Sequence, residues 1–179
     1  LRLQVWLDRQ NCGPGKIDGK GGEFTSKAAA AYNEAHPEAA IQKAAPADFG
    51  DPTIVDYTIR EEDGKHVGTL PKSKEERAKL KALPYPNLEE LVAERFHTEP
   101  SLLAALDPEL KMAHLKTGDS VKVPNVVPFE IEALSHEAKK DLAPPSVERS
   151  IDINAHDELL RLLENGKVIA TFPVTVGSE

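Results

Sequence analysis

The sequence predicts an α+β protein built from several small units, and three patterns support this fold class. Near the end of the chain, Asn165-Gly166 separates two apolar, β-branched runs, which is typical of a β-hairpin with a type I′ turn. In the middle of the chain, a strand pattern, helical patterns and a second strand pattern follow one another. The first residues carry helical patterns, which a glycine-rich loop separates.

The first unit is predicted to be helical. An apolar helical face at the N-terminus ends at the breaker cluster 11–15, and the loop KIDGKGGEF follows. Thr25 is predicted to be the N-cap of the helix SKAAAAYNEAH, because its hydroxyl can accept a hydrogen bond from a first-turn amide. Asp18 can accept hydrogen bonds from the amides of the loop, and Gly19 and Gly22 are expected to supply unusual φ angles.

The middle of the chain is predicted to run from a strand through helices to a closing strand. TIVDYTI alternates as a strand does, and GDSVKVP is predicted to be its partner. Ser73 and Glu76 have capping-box spacing ahead of RAKLKAL, and Asn87 begins a second helix with a looser form of the same signal. A further helix, SLLAAL, is expected to end at Asp107-Pro108.

Lysines cluster in one part of this middle region. They are interspersed with Glu75 and Glu76, which indicates a solvent-exposed helix. Lysines and glutamates four positions apart could form ion pairs on its surface. The lysines are Lys72, Lys74, Lys79 and Lys81.

Composition and charge exclude several classes of function. The formal net charge is −8 and the sequence pI is about 5.3, which argues against a nucleic-acid-binding protein, because that class needs a basic face. No apolar run approaches the roughly 18 residues of a membrane span. Cys12 is the single cysteine, so no internal disulfide can form. It is expected to be a loop or packing thiol.

No motif in the sequence predicts a metal or a cofactor. The glycine-rich loop lacks the lysine spacing of a phosphate-binding loop and does not follow a strand. Ser135-His136-Glu137 contains the residue types of a hydrolase triad, but adjacent side chains point apart on any regular element. The histidines are scattered without a zinc-binding pair: His36, His66, His97, His114, His136 and His156.

The N-terminal loop and its flanking helices resemble the peptidoglycan-binding-like domain, a small three-helix fold. The resemblance rests on Leu3-Gln4, Leu7, Asp18-Gly19, Gly22, Thr25, Ala28 and Tyr32. It assigns residues 1–46 to this domain and makes Asp18, Gly19, Gly22 and Thr25 its structural loop. Asn33 stands where the family usually has glutamine.

The middle region resembles a LysM module, a βααβ fold that binds N-acetylglucosamine-containing glycans. Tyr57-Thr58-Ile59, Asp63 and the closing LKTGDSVKVP carry the resemblance, and Glu62 replaces a usual glycine. It assigns residues 47–127 to this module, with an inserted helical loop at 64–86. A sugar groove, if the insertion preserves one, is implied near Asp63, Gly64, Asp107, Pro108, Glu109, Leu110 and Lys111.

The last segment resembles the first strands of an L,D-transpeptidase catalytic domain. Ile151-Asp152-Ile153, Leu160, Asn165-Gly166, Phe172-Pro173-Val174 and Gly177 carry this resemblance. It implies a truncated β domain at residues 149–179 behind a linker arm at 128–148. The edges of the hairpin would then be unpaired in this chain, and further strands of the domain would pair with them.

This family performs cysteine acyl transfer with a late Ser-His-Gly-Cys motif, in which histidine is the base and backbone amides hold the oxyanion. The present chain has no such motif, and Cys12 lies between Asn11 and Gly13 without a nearby histidine. The chain itself is therefore expected to be inactive, with no catalytic residue of its own.

The resemblances together imply the N-terminal, cell-wall-targeting part of an L,D-transpeptidase that cross-links peptidoglycan stem peptides. The implied location is outside the cytoplasmic membrane, in the periplasm or cell wall. The expected partners are peptidoglycan glycan or stem peptide and the missing catalytic half. Two alternatives remain: a non-catalytic peptidoglycan-binding or spacer protein, and a dimer that exchanges strands with a second copy through the hairpin.

Overall fold

The computed structural model describes residues 1–41, 52–133 and 147–177. The chain divides into a terminal unit, drawn from residues 1–53 and 130–179, and a middle unit, residues 54–129. Both units contain helices and a small antiparallel sheet, so the protein is α+β. The two ends of the chain, which the resemblances assign to separate domains, thus lie in one compact unit. Ser135-His136-Glu137 and most of the predicted linker arm lie outside the described residues.

Two helices begin the terminal unit. α1 (Arg2–Arg9) and α2 (Glu23–Ala35) are followed by a 3-10 turn, Pro37–Ala39. Their shared core contains Leu7, Ala28 and Tyr32, with the Trp6 ring packed edge-on against Tyr32 at 4.5 Å between centroids. Half of the expected third helix, EAAIQKAA at 38–45, lies outside the described residues, and its described half is helical only in this 3-10 turn.

The N-cap of α2 differs from the prediction. The helix begins at Glu23, and its N-cap is Gly22, which has an extended backbone with φ −152°. The prediction of Thr25 as the N-cap is therefore wrong by three residues, and Thr25 is a buried first-turn residue instead. Gly22 needs no left-handed conformation, whereas Gly19 has φ +77° as expected.

The C-terminal strands form a three-stranded antiparallel sheet in the order β3-β4-β5. β3 spans Arg149–Asn154, β4 spans Leu159–Glu164 and β5 spans Lys167–Pro173. Asn165 and Gly166 join β4 to β5 with φ values of +50° and +75°. These are the left-handed conformations that a type I′ turn requires, so the predicted hairpin is confirmed.

The outer edge of β5 pairs with the breaker cluster after α1. Thr171 donates its amide to the Asn11 carbonyl at 2.8 Å, and Gly13 donates its amide to the Thr171 carbonyl at 2.8 Å. The other side of the hairpin pairs with β3. The expectation of unpaired hairpin edges is therefore corrected, because β3 pairs with one edge and residues more than 150 positions away along the chain pair with the other at Thr171.

The middle unit is a strand–helix–helix–strand arrangement with two additional short helices. β1 (Ile54–Thr58) pairs antiparallel with β2 (Ser120–Pro124). The helices are α3 (Glu61–Lys65), α4 (Lys74–Arg77), α5 (Leu88–Arg95) and α6 (Pro100–Leu106). The fully buried apolar side chains among the described residues of this unit include Ile59, Leu91, Val92, Leu103, Val121, Val123 and Pro124.

Both predicted helix starts of the middle unit are present, but one helix is shorter than expected. Asn87 caps α5 by accepting the Glu90 amide at 2.8 Å, and Ser73 caps α4 by accepting the Glu76 amide at 3.1 Å. α4 then ends at Arg77, so the prediction of a helix through RAKLKAL is wrong. A short helix needs an apolar face packed on a core, and the leucines of this stretch lie exposed instead.

Candidate functional site

The first half of the predicted groove contains a buried carboxylate. Asp63 is fully buried at the third position of α3, where its Oδ2 accepts the Arg60 amide at 2.8 Å. The Tyr57 hydroxyl donates to the same oxygen at 2.5 Å. Asp63 Oδ1 lies 2.9 Å from a guanidinium nitrogen of Arg95, whose side chain is 2% exposed. Asp63 therefore organises the unit from inside and has no oxygen available for a sugar.

Arg95 connects the two ends of the middle unit. One nitrogen binds Asp63 after β1, and another donates to the Phe129 carbonyl at 3.2 Å. The backbone of Arg95 also accepts the Phe129 amide at 2.7 Å. Because a buried cation needs partners to offset its lost hydration, Arg95 holds the first turn and the last residue of the unit against α5. The prediction from sequence missed Arg95, although an arginine between the apolar Val92 and Phe96 was a signal.

Tyr57 is affected by the same cluster. Burial, followed by the hydrogen bond to Asp63 and the charge of that carboxylate, raises the pKa of Tyr57 to about 12. Its ring also packs edge-on against Phe96 at 4.9 Å between centroids. The phenol consequently stays protonated at neutral pH and acts as a hydrogen-bond donor rather than a base.

The second half of the predicted groove, residues 107–111, is the segment that ends α6, and several of its side chains are exposed. Asp107 is the C-cap of α6, and its carbonyl accepts the Leu110 amide at 3.2 Å. Pro108, Glu109 and Lys111 are exposed, whereas Asp107 and Leu110 are half-buried. Gly64, on the other predicted side, is exposed in α3, and a side chain there would meet nothing within 4 Å.

The structure thus separates the groove residues into two classes. Asp63 is an internal structural residue, whereas Gly64, Pro108, Glu109 and Lys111 are accessible to a ligand. The exposed groups present one carboxylate and one ammonium, which suit hydrogen bonds to a polar ligand such as a sugar.

The loop of the terminal unit is organised by Gln4. The Gln4 amide nitrogen donates to Asp18 Oδ1 at 2.9 Å and to the Lys20 carbonyl at 3.0 Å, and its oxygen accepts the Gly19 amide at 2.9 Å. Thr25 lies beside it, with its hydroxyl 3.5 Å from the Gln4 nitrogen. Asp18 also accepts the Lys20 amide at 2.9 Å, as expected. All four predicted loop residues serve the local fold, Gly22 as the N-cap.

Asp18 has a perturbed acidity that fits this structural role. The hydrogen bond from Gln4, followed by the one from the Lys20 amide, lowers the pKa of Asp18 below its ordinary value. The carboxylate is therefore charged at neutral pH and accepts hydrogen bonds, which is what the loop requires.

Cys12 is a packing residue at the edge of a cavity in the terminal unit. Its side chain is 5% exposed and lies in the core with Leu7 and Tyr32. Burial raises the pKa of the Cys12 thiol, so little thiolate is present at neutral pH. The cavity beside it has a volume of about 330 Å³, and Arg9, His36, Ala31 and Ala170 are among its lining residues.

The described part of the chain contains neither a cluster of metal ligands nor a membrane-spanning helix. Within residues 1–41, 52–133 and 147–177, no three His, Cys, Asp or Glu side chains lie together as metal ligands would. No helix in the same ranges is both long enough and apolar enough to cross a membrane.

No protein-family model matches this chain, and a comparison with curated proteins finds no significant match.

Proposed function

We propose that the chain is the peptidoglycan-targeting N-terminal part of an L,D-transpeptidase whose histidine and cysteine lie outside this sequence. The chain itself contributes binding and positioning, with no catalytic group. The proposal rests on the resemblances of its three segments and on one structural observation, the exposed apolar face of the β3-β4-β5 sheet.

The apolar face of this sheet supports a role as part of a larger β domain. Ile153, Leu160 and Phe172 are aligned across the three strands, and Ile151 lies on the same side of β3 as Ile153. Ile151 is 64% exposed, Ile153 60% and Phe172 45%. Other described residues cover these side chains only in part. Completing their burial against more protein would be favourable by about 1 kcal/mol each.

The arrangement of the middle unit supports the glycan-binding part of the proposal. β1 and β2 are adjacent and antiparallel, and the two longer helices of the unit, α5 and α6, connect them. This order is the one that the LysM resemblance implies. The exposed Glu109 and Lys111, which follow α6, are the side chains proposed to contact the sugar, while Asp63 and Arg95 keep the unit folded.

Co-sedimentation with purified insoluble peptidoglycan tests the proposed targeting. The 179-residue chain is expected in the pellet, and Glu109→Ala with Lys111→Ala is expected to weaken binding about tenfold, through the loss of two hydrogen-bonding groups. Glu90→Ala with Lys116→Ala is the matched control, because it removes the same charges from exposed positions elsewhere in the unit. Full recovery of the unaltered chain in the supernatant would contradict targeting.

A second candidate function is a non-catalytic wall-binding or spacer protein. The observation that favours it is the pairing of Thr171 with Asn11 and Gly13, because this joins the sheet to the N-terminal helices as parts of one unit. This candidate predicts a monomer with no cross-linking partner domain. The strand-exchanged version predicts a dimer, and analytical ultracentrifugation at several concentrations distinguishes the two.

A further inference from the structure

The insertion in the middle unit carries a basic and apolar surface that the proposed function does not use. This basic loop, residues 72–83, contains five basic side chains and two acidic ones, in a chain whose net charge is −8. Every residue from 74 to 83 is exposed. Leu80 is 42% exposed and Leu83 is 55% exposed. Both leucines thus lie beside lysines on a surface that is locally positive.

The lysines of this loop remain available for a partner. No ion pair within the described residues engages Lys72, Lys74, Lys79 or Lys81. The i,i+4 pairs with Glu75 and Glu76 that the sequence allows are not formed, because α4 ends at Arg77. Arg77 itself donates to the Pro71 carbonyl at 2.6 Å.

The base of the loop is held firmly on the body of the unit. Gly68 donates its amide to the Tyr85 carbonyl at 2.9 Å, and Tyr85 donates its amide to the His66 carbonyl at 2.9 Å. Burial, followed by a hydrogen bond with Glu94 of α5, raises the pKa of Tyr85 to about 12. The insertion is thus anchored at both ends, and its exposed part, residues 72–83, extends from a fixed base.

From these observations we infer that the basic loop docks on the surface of an anionic lipid bilayer. An anionic bilayer offers both features that the loop matches: negative headgroups for the lysines and an apolar layer that Leu80 and Leu83 can enter. A soluble polyanion would satisfy the lysines alone. The acidic remainder of the chain has little effect on docking, because charges more than about 8 Å from the surface are screened at physiological salt.

Vesicle co-sedimentation with the 179-residue chain tests this inference. The chain is expected to bind vesicles of phosphatidylcholine with about one third phosphatidylglycerol, and to leave pure phosphatidylcholine vesicles unbound. Lys79→Gln with Lys81→Gln is expected to lower the partition coefficient roughly 25-fold, since each basic group near the surface contributes roughly fivefold. Leu80→Ser with Leu83→Ser is expected to lower it about tenfold.

Two controls make each outcome decisive. Lys116→Gln with Lys167→Gln removes the same charge from exposed positions outside the loop and is expected to retain binding within about twofold. Inorganic polyphosphate serves as a soluble polyanion without an apolar layer. Equal binding to both vesicle types, equal loss in the lysine variant and its control, or polyphosphate binding with an unaffected leucine variant would each overturn the inference. Failure here leaves peptidoglycan binding untouched, because that assay uses other residues.

Discussion

The dipeptide Asp-Gly occurs at two anchoring points of the molecule and takes two different structures. At Asp18-Gly19 the glycine has φ +77° and the aspartate lies in a loop, where Gln4 and the Lys20 amide bind it. At Asp63-Gly64 both residues are helical in α3, and the aspartate is fully buried. The dipeptide is the same at both points but its flanking residues differ, and the two aspartates also have different long-range partners.

Those partners differ in charge. Asp18 is bound by the neutral amide of Gln4, which lies 14 positions earlier. Asp63 is bound by the buried cation of Arg95, which lies 32 positions later on α5. Breaking a buried ion pair is costly, whereas a partly exposed hydrogen bond from a neutral donor can be replaced by one from water. The two sites should therefore respond to substitution by very different amounts.

The largest expected effect follows the loss of the buried charge. Asp63→Ala leaves Arg95 buried without its carboxylate and should lower the free energy of unfolding of the middle unit by about 3–5 kcal/mol. Hydrogen exchange at the amides of Leu91 and Val92 measures this. Asp56→Ala is the control, because Asp56 forms an exposed ion pair with Lys122 and should cost at most about 1 kcal/mol. Equal costs for the two variants would contradict the assigned role of Asp63.

A smaller effect is expected at the corresponding anchor of the terminal unit. Gln4→Ala removes the groups that bind Asp18, the Gly19 amide and the Lys20 carbonyl, and should cost about 1–3 kcal/mol. Trp6 is the single tryptophan, so its fluorescence during urea unfolding reports on this unit alone. Gln10→Ala, at an exposed position at the end of α1, should leave the urea midpoint unchanged. A urea midpoint for Gln4→Ala equal to that of the Gln10→Ala control would contradict the proposed role of Gln4.

The two glycines should respond to alanine with opposite signs. Gly19→Ala places a side chain at φ +77° and should destabilise the terminal unit by about 1–2 kcal/mol. Gly64→Ala has open space around the new methyl group and should stabilise the middle unit by about 0.5–1 kcal/mol, because alanine favours a helix. Chemical unfolding of the two variants measures both. A destabilised Gly64→Ala would mean that Gly64 has a left-handed backbone like Gly19.

The smallest effect concerns alkaline pH. The pKa of Tyr57 is raised to about 12 in the folded protein, above the roughly 10 of an unfolded tyrosine. Its contribution to stability is therefore present below pH 10 and is lost as the pH rises toward 12. Tyr57→Phe should reduce the loss of stability between pH 10 and pH 12. Phenolate absorbance and hydrogen exchange together can follow this loss. Phenolate formation by Tyr57 near pH 10 in the folded protein would contradict its hydrogen bond to Asp63.

The features that sequence reasoning predicted are mainly local ones. The Asn165-Gly166 turn, the caps Ser73 and Asn87, and the hydrogen bond from the Lys20 amide to Asp18 each depend on residues within a few positions of one another. Local backbone chemistry fixes such features, so the pattern of residue types suffices to predict them.

The features that sequence reasoning missed depend on long-range contacts. The burial of Asp63 requires Arg95, and the pairing of Thr171 with Asn11 joins opposite ends of the chain. The helix expected after Ser73 stops early because its leucines have no core to pack against. Neither a charge pattern nor a hydrophobic period in one segment identifies a partner in another, and the candidate site depends on such partners.

We propose that the chain is part of a cell-wall cross-linking enzyme, and sequencing the transcript beyond the codon for Glu179 is the decisive experiment. An open reading frame is expected that adds strands able to cover Ile151, Ile153 and Phe172 and then encodes a Ser-His-Gly-Cys motif. A stop codon at that point, or a long continuation without a paired histidine and cysteine, would contradict it.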